Sequence, residues 1–301
     1  MNTFKSLTFL AVASIVHVSC MVAETQNSEK HKPLSLRQSI VVGGLVGAAE
    51  VTFPGQPLSY AMNLAIKNSA LVKSDQLPFV LTNSYQGFAT NALGQMPITA
   101  VQKGIQAKGT EWIKASQNCE LSDLQNAGVS YVAGIGGALI DTPSNAMQLY
   151  MQNAANAGKN MRQAFAELGK KSMRGFTANA VLKEGPFAVG YQMLAPKGTK
   201  LAEAYVGDNV AATVLGGVTA GVVTAVVTHP GAVIRNKMQG DLEGTAYPTM
   251  LKTASKICKE DGPRALFSGL KQRGARIAIA IPLYVAYSNA LSERLFPEST
   301  R

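Results

Sequence analysis

The residue types that carry metal or covalent chemistry are few in this sequence and widely spaced. The histidines show none of the spacings of a zinc site, such as H-E-x-x-H; they are His17, His31 and His229. The cysteines are odd in number and form no C-x-x-C pair, which indicates free thiols; they are Cys20, Cys119 and Cys258. We therefore expect no metal site, and the expectations for the whole chain are that it has no catalytic residue and no cofactor and is not an enzyme.

Glycine-rich loops for nucleotides are also absent from the sequence. The segment Gly134-Ile135-Gly136 begins like a dinucleotide-binding turn. The third position of that pattern is Leu139, whose side chain is too large for the close contact between helix and strand. No G-x-x-x-x-G-K-[ST] loop occurs, so nucleotide hydrolysis has no support.

The net charge of +10 indicates an acidic partner of some kind. Nucleic acid, an anionic membrane surface and an anionic solute all fit that charge. The basic residues lie mostly between apolar stretches, and no basic block is interleaved with aromatic residues. Nucleic-acid binding is therefore disfavoured, and we expect no such partner.

Long uncharged segments indicate a membrane protein. Charged residues are 15% of the chain and leave gaps, several of which reach the ~20 residues that a membrane helix needs. The mean hydropathy of +0.08 is low for helices surrounded by lipid, so we expect each helix to have one face toward lipid and another toward a watery cavity. The gaps are residues 76–102, 124–140, 142–158, 209–234 and 277–292.

An internal repeat organises the chain. A helix-like segment rich in small residues ends in a proline three times, at Pro54, Pro143 and Pro230, which lie 89 and 87 residues apart. Such a period indicates three related units. We predict a leader at residues 1–33 and repeats at residues 34–115, 116–202 and 203–297.

Each repeat reads as two membrane helices. Small residues four apart precede the prolines and permit close helix packing in lipid; the pairs are Gly43 with Gly47, Ala133 with Gly137, and Gly217 with Gly221. A second apolar helix follows in each unit. The last polar connector, residues 247–261, has the pattern of a short amphipathic helix that ends at Gly262-Pro263. The expected fold is all-α, with six transmembrane helices and short amphipathic surface helices.

The leader resembles a secretory signal. An apolar run, Leu7 to Val18, follows Lys5 and precedes a polar stretch. His17 and Met21 disturb the residues expected at a cleavage site. A cleaved signal and a retained, loosely ordered leader both remain open.

The third repeat resembles the mitochondrial carrier family. The family pattern is G-x-x-x-G, then P-x-[DE]-x-x-[KR]-x-[KR]-x-Q, a polar loop, E-G and an aromatic-x-G. The second repeat matches this pattern more loosely, and the first mainly through Pro54, Tyr85 and Gly87. The residues that carry the match are Gly216-Gly217, Gly221, Pro230, Arg235, Lys237, Gln239, Tyr247, Glu260-Asp261-Gly262 and Leu266-Phe267-Ser268-Gly269.

The resemblance implies a monomeric, multi-pass carrier of the mitochondrial inner membrane, a pseudo-threefold bundle whose odd helices kink at the prolines. Ion pairs after the prolines would close one side of the bundle. The acid positions here are Gln56, Asn145 and Ala232, and the base positions are Ser59, Gln148 and Arg235.

Because Arg235 alone keeps its charge at these positions, we expect the three salt bridges of this gate to be replaced at best by amide and hydroxyl hydrogen bonds, worth ~0.6 kcal/mol each in membrane bundles. Two interpretations follow: a divergent carrier with a weakened gate, or a membrane protein that no longer transports.

The resemblance also implies the substrate contacts. They fall at Gln95, Lys183 and Arg276, with Asn91, Asn179 and Arg273 one turn earlier. A charge inside a membrane is costly, so Lys183 and Arg276 are expected to bind an anion; the alternative for Lys183 is an ion pair with Glu184. Arginine binds phosphate or carboxylate through two parallel hydrogen bonds.

Nucleotides such as ATP and ADP therefore lead as substrates, followed by di- and tricarboxylates. The R-R-R-M-M-M run of the ADP/ATP carriers is absent, and Ala275-Arg276-Ile277-Ala278 stands near its place. A signal-like leader joined to a degenerate carrier also resembles the nucleotide carrier that some intracellular bacteria deliver into host mitochondria.

Cardiolipin is the expected lipid partner. Arg174-Gly175 and Ser268-Gly269 are expected to begin short helices whose free amides hold a phosphate, so Arg174, Gly175 and Gly269 are the candidate lipid residues. Two other classes of protein stay open: a secreted soluble binding protein and a membrane scaffold without transport.

Overall fold

The computed structural model describes residues 36–50, 55–68, 81–85, 88–156, 158–207 and 210–295. The predictions for the leader, for Pro54 and for Gly87 lie outside these residues. Within them, the regular structure is helical, which confirms the all-helical prediction.

Ten helices follow one another within the described residues. Residues 176–206 are helical throughout, and this helix, α7, contains two wider π-helical stretches, Ala178–Glu184 and Gly190–Leu194. Short 3₁₀ turns lie at Ala154–Asn156, Gly169–Met173 and Pro263–Phe267. The other helices are α1 (Leu36–Glu50), α2 (Gln56–Asn68), α3 (Leu81–Ser84), α4 (Phe88–Gln117), α5 (Asp123–Met151), α6 (Met161–Leu168), α8 (Val210–Gly240), α9 (Met250–Glu260) and α10 (Leu270–Leu295).

The long helices close into a ring. Helix α1 packs on α4, α4 on α5, α5 on α7, α7 on α8, and α8 on α10. Helix α10 then packs on both α1 and α2, which completes the ring. The predicted repeat boundaries at 115 and 202 fall just before the ends of α4 and α7, at Gln117 and Val206.

Local sequence explains the ends of several helices. Ser122 caps α5 and forms a reciprocal pair of hydrogen bonds with Gln125. The predicted connector helix is present as α9, where Thr249 accepts a hydrogen bond from the backbone of Lys252. Gly262 follows with a φ of 80°, a conformation that glycine adopts without strain.

Two of the three repeat prolines lie inside long helices. Pro143 is within α5 and Pro230 within α8. Each removes one backbone hydrogen bond from its helix.

Glycines let neighbouring helices approach closely, as the small-residue pattern predicts. A methyl group on Gly134 of α5 would stand 2.1 Å from the carbonyl oxygen of Glu184 on α7. One on Gly216 of α8 would stand 2.2 Å from the backbone nitrogen of Thr199. Gly137 and Gly221, which belong to the predicted pairs, face Gln102 and the backbone of α10.

Apolar side chains cover much of the outside of the ring. Large exposed examples lie on α1, α4, α5, α7 and α8: Ile40, Val41, Leu45, Leu93, Val132, Leu139, Val181, Leu201, Leu215, Val222, Val223, Val226 and Val227. Among the described residues, one helical segment passes a length-and-composition test for crossing a membrane, Ala211–Gly240.

Candidate functional site

The ring encloses a cavity of about 1000 Å³, the part open to solvent included. Of the charged residues described at its wall, four are cations and two are carboxylates, which leaves a net charge of +2. The cations are Lys183, Arg235, Arg273 and Arg276, and the carboxylates are Asp141 and Glu184.

Asp141 is the centre of a buried charge network. Its Oδ2 accepts hydrogen bonds from Nζ of Lys183 at 2.7 Å, from Nη1 of Arg235 at 3.0 Å and from Nδ2 of Asn179 at 2.9 Å. Asp141 and Arg235 are 5% and 1% exposed. The network joins α5, α7 and α8 at one level of the ring.

This network corrects the prediction that no ion pair remains at the gate. Asp141 lies four residues before Asn145, the acid position of the family pattern. Residues four apart share one helix face, so a carboxylate moved by one turn still reaches Arg235.

Lys183 forms the ion pair with Glu184 that was the structural alternative, and it also lies at the cavity wall. Its ammonium lies at the cavity wall and also pairs with Glu184 and Asp141. Glu184 in turn accepts a hydrogen bond from Nε2 of Gln102 at 3.1 Å. Lys183 is thus a cavity cation that two carboxylates already hold.

Asn179 does not fit its predicted role as a substrate contact. It is fully buried and is not among the residues that line the cavity. Its amide donates to Asp141 and to the hydroxyl of Thr142, and accepts from Arg235. It therefore belongs to the buried network around Asp141 and not to the cavity wall.

The other predicted substrate residues line the cavity. Arg273 donates from Nη2 to the hydroxyl of Thr228 at 2.6 Å, and its buried Nε has no hydrogen-bond acceptor. Asn91 donates to Oε1 of Gln56 at 2.7 Å. Gln95 and Arg276 face the same space from α4 and α10.

Amide contacts take the place of charges around α2. Nε2 of Gln148 donates to Oε1 of Gln56 at 3.2 Å, which joins an acid position to a base position by a hydrogen bond. Ser59, another base position, donates its hydroxyl to the carbonyl of Gly55 in its own chain segment. Ala232 is buried and has no polar side chain.

Sequence reasoning missed Asp141 and Gln102. Asp141 is the single charged residue from Leu124 to Gly158, directly before the proline dipeptide Thr142-Pro143. An isolated acid inside an apolar helix could have indicated a functional role for Asp141. Nothing in the sequence pattern distinguishes Gln102. Its Oε1 accepts a hydrogen bond from the hydroxyl of Tyr191 at 2.9 Å.

The predicted lipid residues lie where two long helices begin. The expectation of short helices was wrong, because α7 and α10 run to residues 206 and 295. Arg174 donates to the carbonyls of Met238 and Tyr247, so its guanidinium holds the end of α8 and the loop after it. Gly175 and Gly269 have φ values of 76° and 84°, which glycine adopts without strain.

A closed ring of helices around a charged cavity is the architecture expected of a solute carrier. Residues 207–298 match the family model described as mitochondrial carrier protein. The chain is also similar to the mitochondrial citrate transporter A of Aspergillus niger. The two are 26% identical over 86% of this chain and 92% of the relative.

Two further relatives extend the likeness to other substrates. The mitochondrial tricarboxylate transport protein of Mus musculus is 25% identical over 89% of this chain and 93% of its own. The probable chloroplastic S-adenosylmethionine carrier 2 of Arabidopsis thaliana is 22% identical over 92% and 79%. The family model and these relatives thus show a likeness to the mitochondrial carrier family, whose members are transporters.

Proposed function

We propose that this protein exchanges a small organic anion with at least two negative charges across the mitochondrial inner membrane by alternating access. The observation that carries the proposal is the excess of two cations at the wall of a cavity inside the helix ring. A net positive charge is costly to hold inside a membrane, and a dianion or trianion would balance it.

The distribution of side chains supports a multi-pass membrane protein with six spanning helices in three pseudo-threefold repeats. Polar and charged groups face the inside of the ring, while exposed aliphatic residues cover the outside. Helix α4 has 30 residues, which corresponds to a length of ~45 Å and exceeds the ~30 Å of a bilayer core. A ring built from one chain needs no second copy to enclose the cavity, so we propose a monomer.

Di- and tricarboxylates are the substrate class that we favour. Arg273 and Arg276 lie three residues apart on α10 and both line the cavity, and arginine pairs with carboxylates through two parallel hydrogen bonds. Two relatives are carriers of citrate or tricarboxylate by name.

Nucleotides are the second candidate, and a different part of the wall favours them. The rings of Phe187 and Tyr191 lie 5.6 Å apart, and both residues line the cavity. Such an aromatic surface can stack against a base. ATP or ADP would then place its phosphates toward the arginines.

A cardiolipin site at the start of α7 is part of the same proposal. The first amides of a helix attract phosphate, and Arg174 lies beside them with a partly exposed side chain. The N-terminal leader is proposed to be signal-like and to lie outside the carrier.

Counter-exchange in proteoliposomes tests the function. Vesicles loaded with unlabelled citrate, malate, ADP or ATP would be given the labelled anion outside, with protein-free vesicles as the control. Saturable uptake of one class that requires the internal anion supports the proposal. A properly inserted protein that exchanges none of the four contradicts it and favours a membrane scaffold.

A further inference from the structure

Helix α7 contains two π-helical stretches, and each ends one residue before a proline. The first, Ala178–Glu184, precedes Gly185-Pro186, and the second, Gly190–Leu194, precedes Ala195-Pro196. At the end of the first stretch, the N–H of Gly185 donates to the carbonyl of Ala180, five residues earlier, where an α-helix would use the residue four earlier. Proline accounts for the wider turns, because its ring crowds the carbonyl four residues before it and it has no N–H to donate.

The first π-helical stretch leaves one carbonyl that the backbone of α7 cannot pair. With each N–H bonded five residues back, the N–H that would reach Val181 belongs to position 186, and Pro186 has none. The hydroxyl of Tyr131 on α5 donates to the carbonyl of Val181 at 2.9 Å. Tyr131 thus supplies, from a neighbouring helix, the hydrogen bond that Pro186 removes.

Tyr131 also covers the residue that closes the stretch. A methyl group on Gly185 would stand 2.7 Å from the ring of Tyr131, so the ring packs directly on the backbone of Gly185. Gly134, three residues further along α5, lies against the carbonyl of Glu184. One face of α5 therefore holds the end of the π-helical stretch through a hydrogen bond and close backbone contacts.

The same stretch forms part of the cavity wall. Lys183 and Glu184 are its last two residues, and both line the cavity. Val181 belongs instead to the apolar outside of the ring, where its side chain is 39% exposed. A change of the backbone on the outer side of α7 therefore moves side chains on its inner side.

We propose that Tyr131 is a positioning residue for the cavity: its hydroxyl keeps the first stretch of α7 π-helical and thereby sets the positions of Lys183 and Glu184 at the substrate site. Tyr131 is not among the residues that line the cavity, so it acts through the backbone of α7. The inference rests on the proposed function, since it takes the outside of the ring to face lipid, where no water replaces a missing donor.

Both ends of α7 are fixed on α8, so the hydrogen-bond register between them matters. Directly before α7, Arg174 donates to two carbonyls at the end of α8 and in the loop after it. After the first stretch, a methyl group on Gly190 would stand 2.1 Å from Oγ1 of Thr224 on α8. The π-helical stretch takes up the residue that an α-helix could not fit between these two contacts.

Conversion of the stretch to α-helix would disturb this alignment. The N–H of Gly185 would then reach Val181, and the residues after the stretch would turn by about one residue position, ~100°. Phe187 would turn with them, away from its place at the cavity wall. Loss of the Tyr131 hydroxyl favours this conversion, because a carbonyl without a donor is costly in lipid.

A double-mutant cycle tests the hydrogen bond without transport. Tyr131→Phe removes the hydroxyl and keeps the ring, and we expect it to lower the melting temperature by roughly 2–6 °C. Pro186→Ala restores an N–H, so that Val181 is paired by the backbone in either register, from position 186 or from Gly185. In that background Tyr131→Phe should have little effect, and an equal loss in both backgrounds contradicts the inference.

Two further measurements test the effect on the cavity. Tyr131→Phe should raise the KM for citrate or ADP, whichever the parent exchanges, about tenfold, the effect of displacing one charge-assisted contact. In a chain whose native cysteines are replaced by serine, Phe187→Cys should react severalfold more slowly with a membrane-impermeant thiol reagent when Tyr131→Phe is added. A lower melting temperature with unchanged KM and unchanged thiol reactivity would make the role of Tyr131 structural only and contradict the inference.

Tyr205→Phe is the matched control, because it removes the hydroxyl of a tyrosine on α7 that is 83% exposed. It should alter neither the melting temperature nor the KM. The two proposals fail in different ways. Absence of exchange with every anion contradicts the proposed function and leaves the melting and thiol measurements to test the inference. Additive effects in the cycle contradict the inference, whether or not exchange is observed.

Discussion

Gln148 on α5 donates a hydrogen bond to Oε1 of Gln56 on α2, and the same oxygen accepts a second one from Asn91 on α4. Gln56 occupies an acid position of the family pattern and Gln148 a base position. On the other side of the ring, α5 meets α8 through the ion pair of Asp141 and Arg235. The two contacts of α5 thus differ in kind, because one is a hydrogen bond between neutral amides and the other is a buried ion pair.

Restoring a charge pair at the amide contact should tighten the gate. We expect Gln56→Glu with Gln148→Lys to raise the melting temperature and slow exchange. Either single change should be destabilising by about 3–5 kcal/mol, because it buries an unpaired charge. Thermal melts and initial exchange rates check both statements.

The matched control removes an exposed ion pair. Lys108→Gln with Glu111→Gln deletes a pair whose side chains are 61% and 67% exposed, and such pairs contribute only ~0–1 kcal/mol. A double variant at 56 and 148 that melts no higher than its two single variants would show that the two side chains do not interact.

Arg276 is predicted to bind the charge of the substrate. Replacing it with alanine should weaken apparent affinity about ten- to a hundredfold, the loss of a charge-assisted contact. Arg276→Lys should recover only part of the apparent affinity, since lysine keeps the charge but lacks the planar guanidinium. The concentration dependence of initial exchange rates measures the effect, with the exposed Arg264→Ala as the control. If Arg276→Ala leaves the apparent affinity unchanged, Arg276 has a structural role and does not bind the substrate.

Close packing of α5 on α7 should depend on Gly134. A methyl group there would collide with the carbonyl oxygen of Glu184 at 2.1 Å, so Gly134→Ala should destabilise the protein by about 1–3 kcal/mol. Gly128→Ala on the same helix meets no atom within 4 Å and should be neutral or stabilising by up to ~1 kcal/mol. The melting temperatures of the two variants are measured at one scan rate. Equal values would mean that α5 and α7 can move apart at position 134 without loss of stability.

Cardiolipin should raise the melting temperature, because phosphate can bind the first amides of α7 next to Arg174. Phosphatidylglycerol at equal charge is the control for general membrane stabilisation. Arg174→Ala should lower the melting temperature even without the lipid, since Arg174 also donates to the carbonyls of Met238 and Tyr247. If cardiolipin raises the melting temperature of Arg174→Ala by as much as that of the parent, the lipid binds at another site.

Several features of the protein were determined by the sequence itself. The amphipathic pattern before Gly262-Pro263 predicts α9, because a helix is built from hydrogen bonds between residues four apart and ends where local capping permits. Gln95, Lys183, Arg273 and Arg276, which the family resemblance implied as substrate contacts, lie at the cavity wall.

The partners of these residues were decided by the tertiary structure. Asp141 and Arg235 are 94 residues apart, and their contact depends on the relative rotation and height of α5 and α8. Asn179 shares a helix face with Lys183, yet it is fully buried and does not line the cavity. Helix phase is a local property, whereas the burial of Asn179 against Asp141 and Arg235 arises only when α5, α7 and α8 pack together.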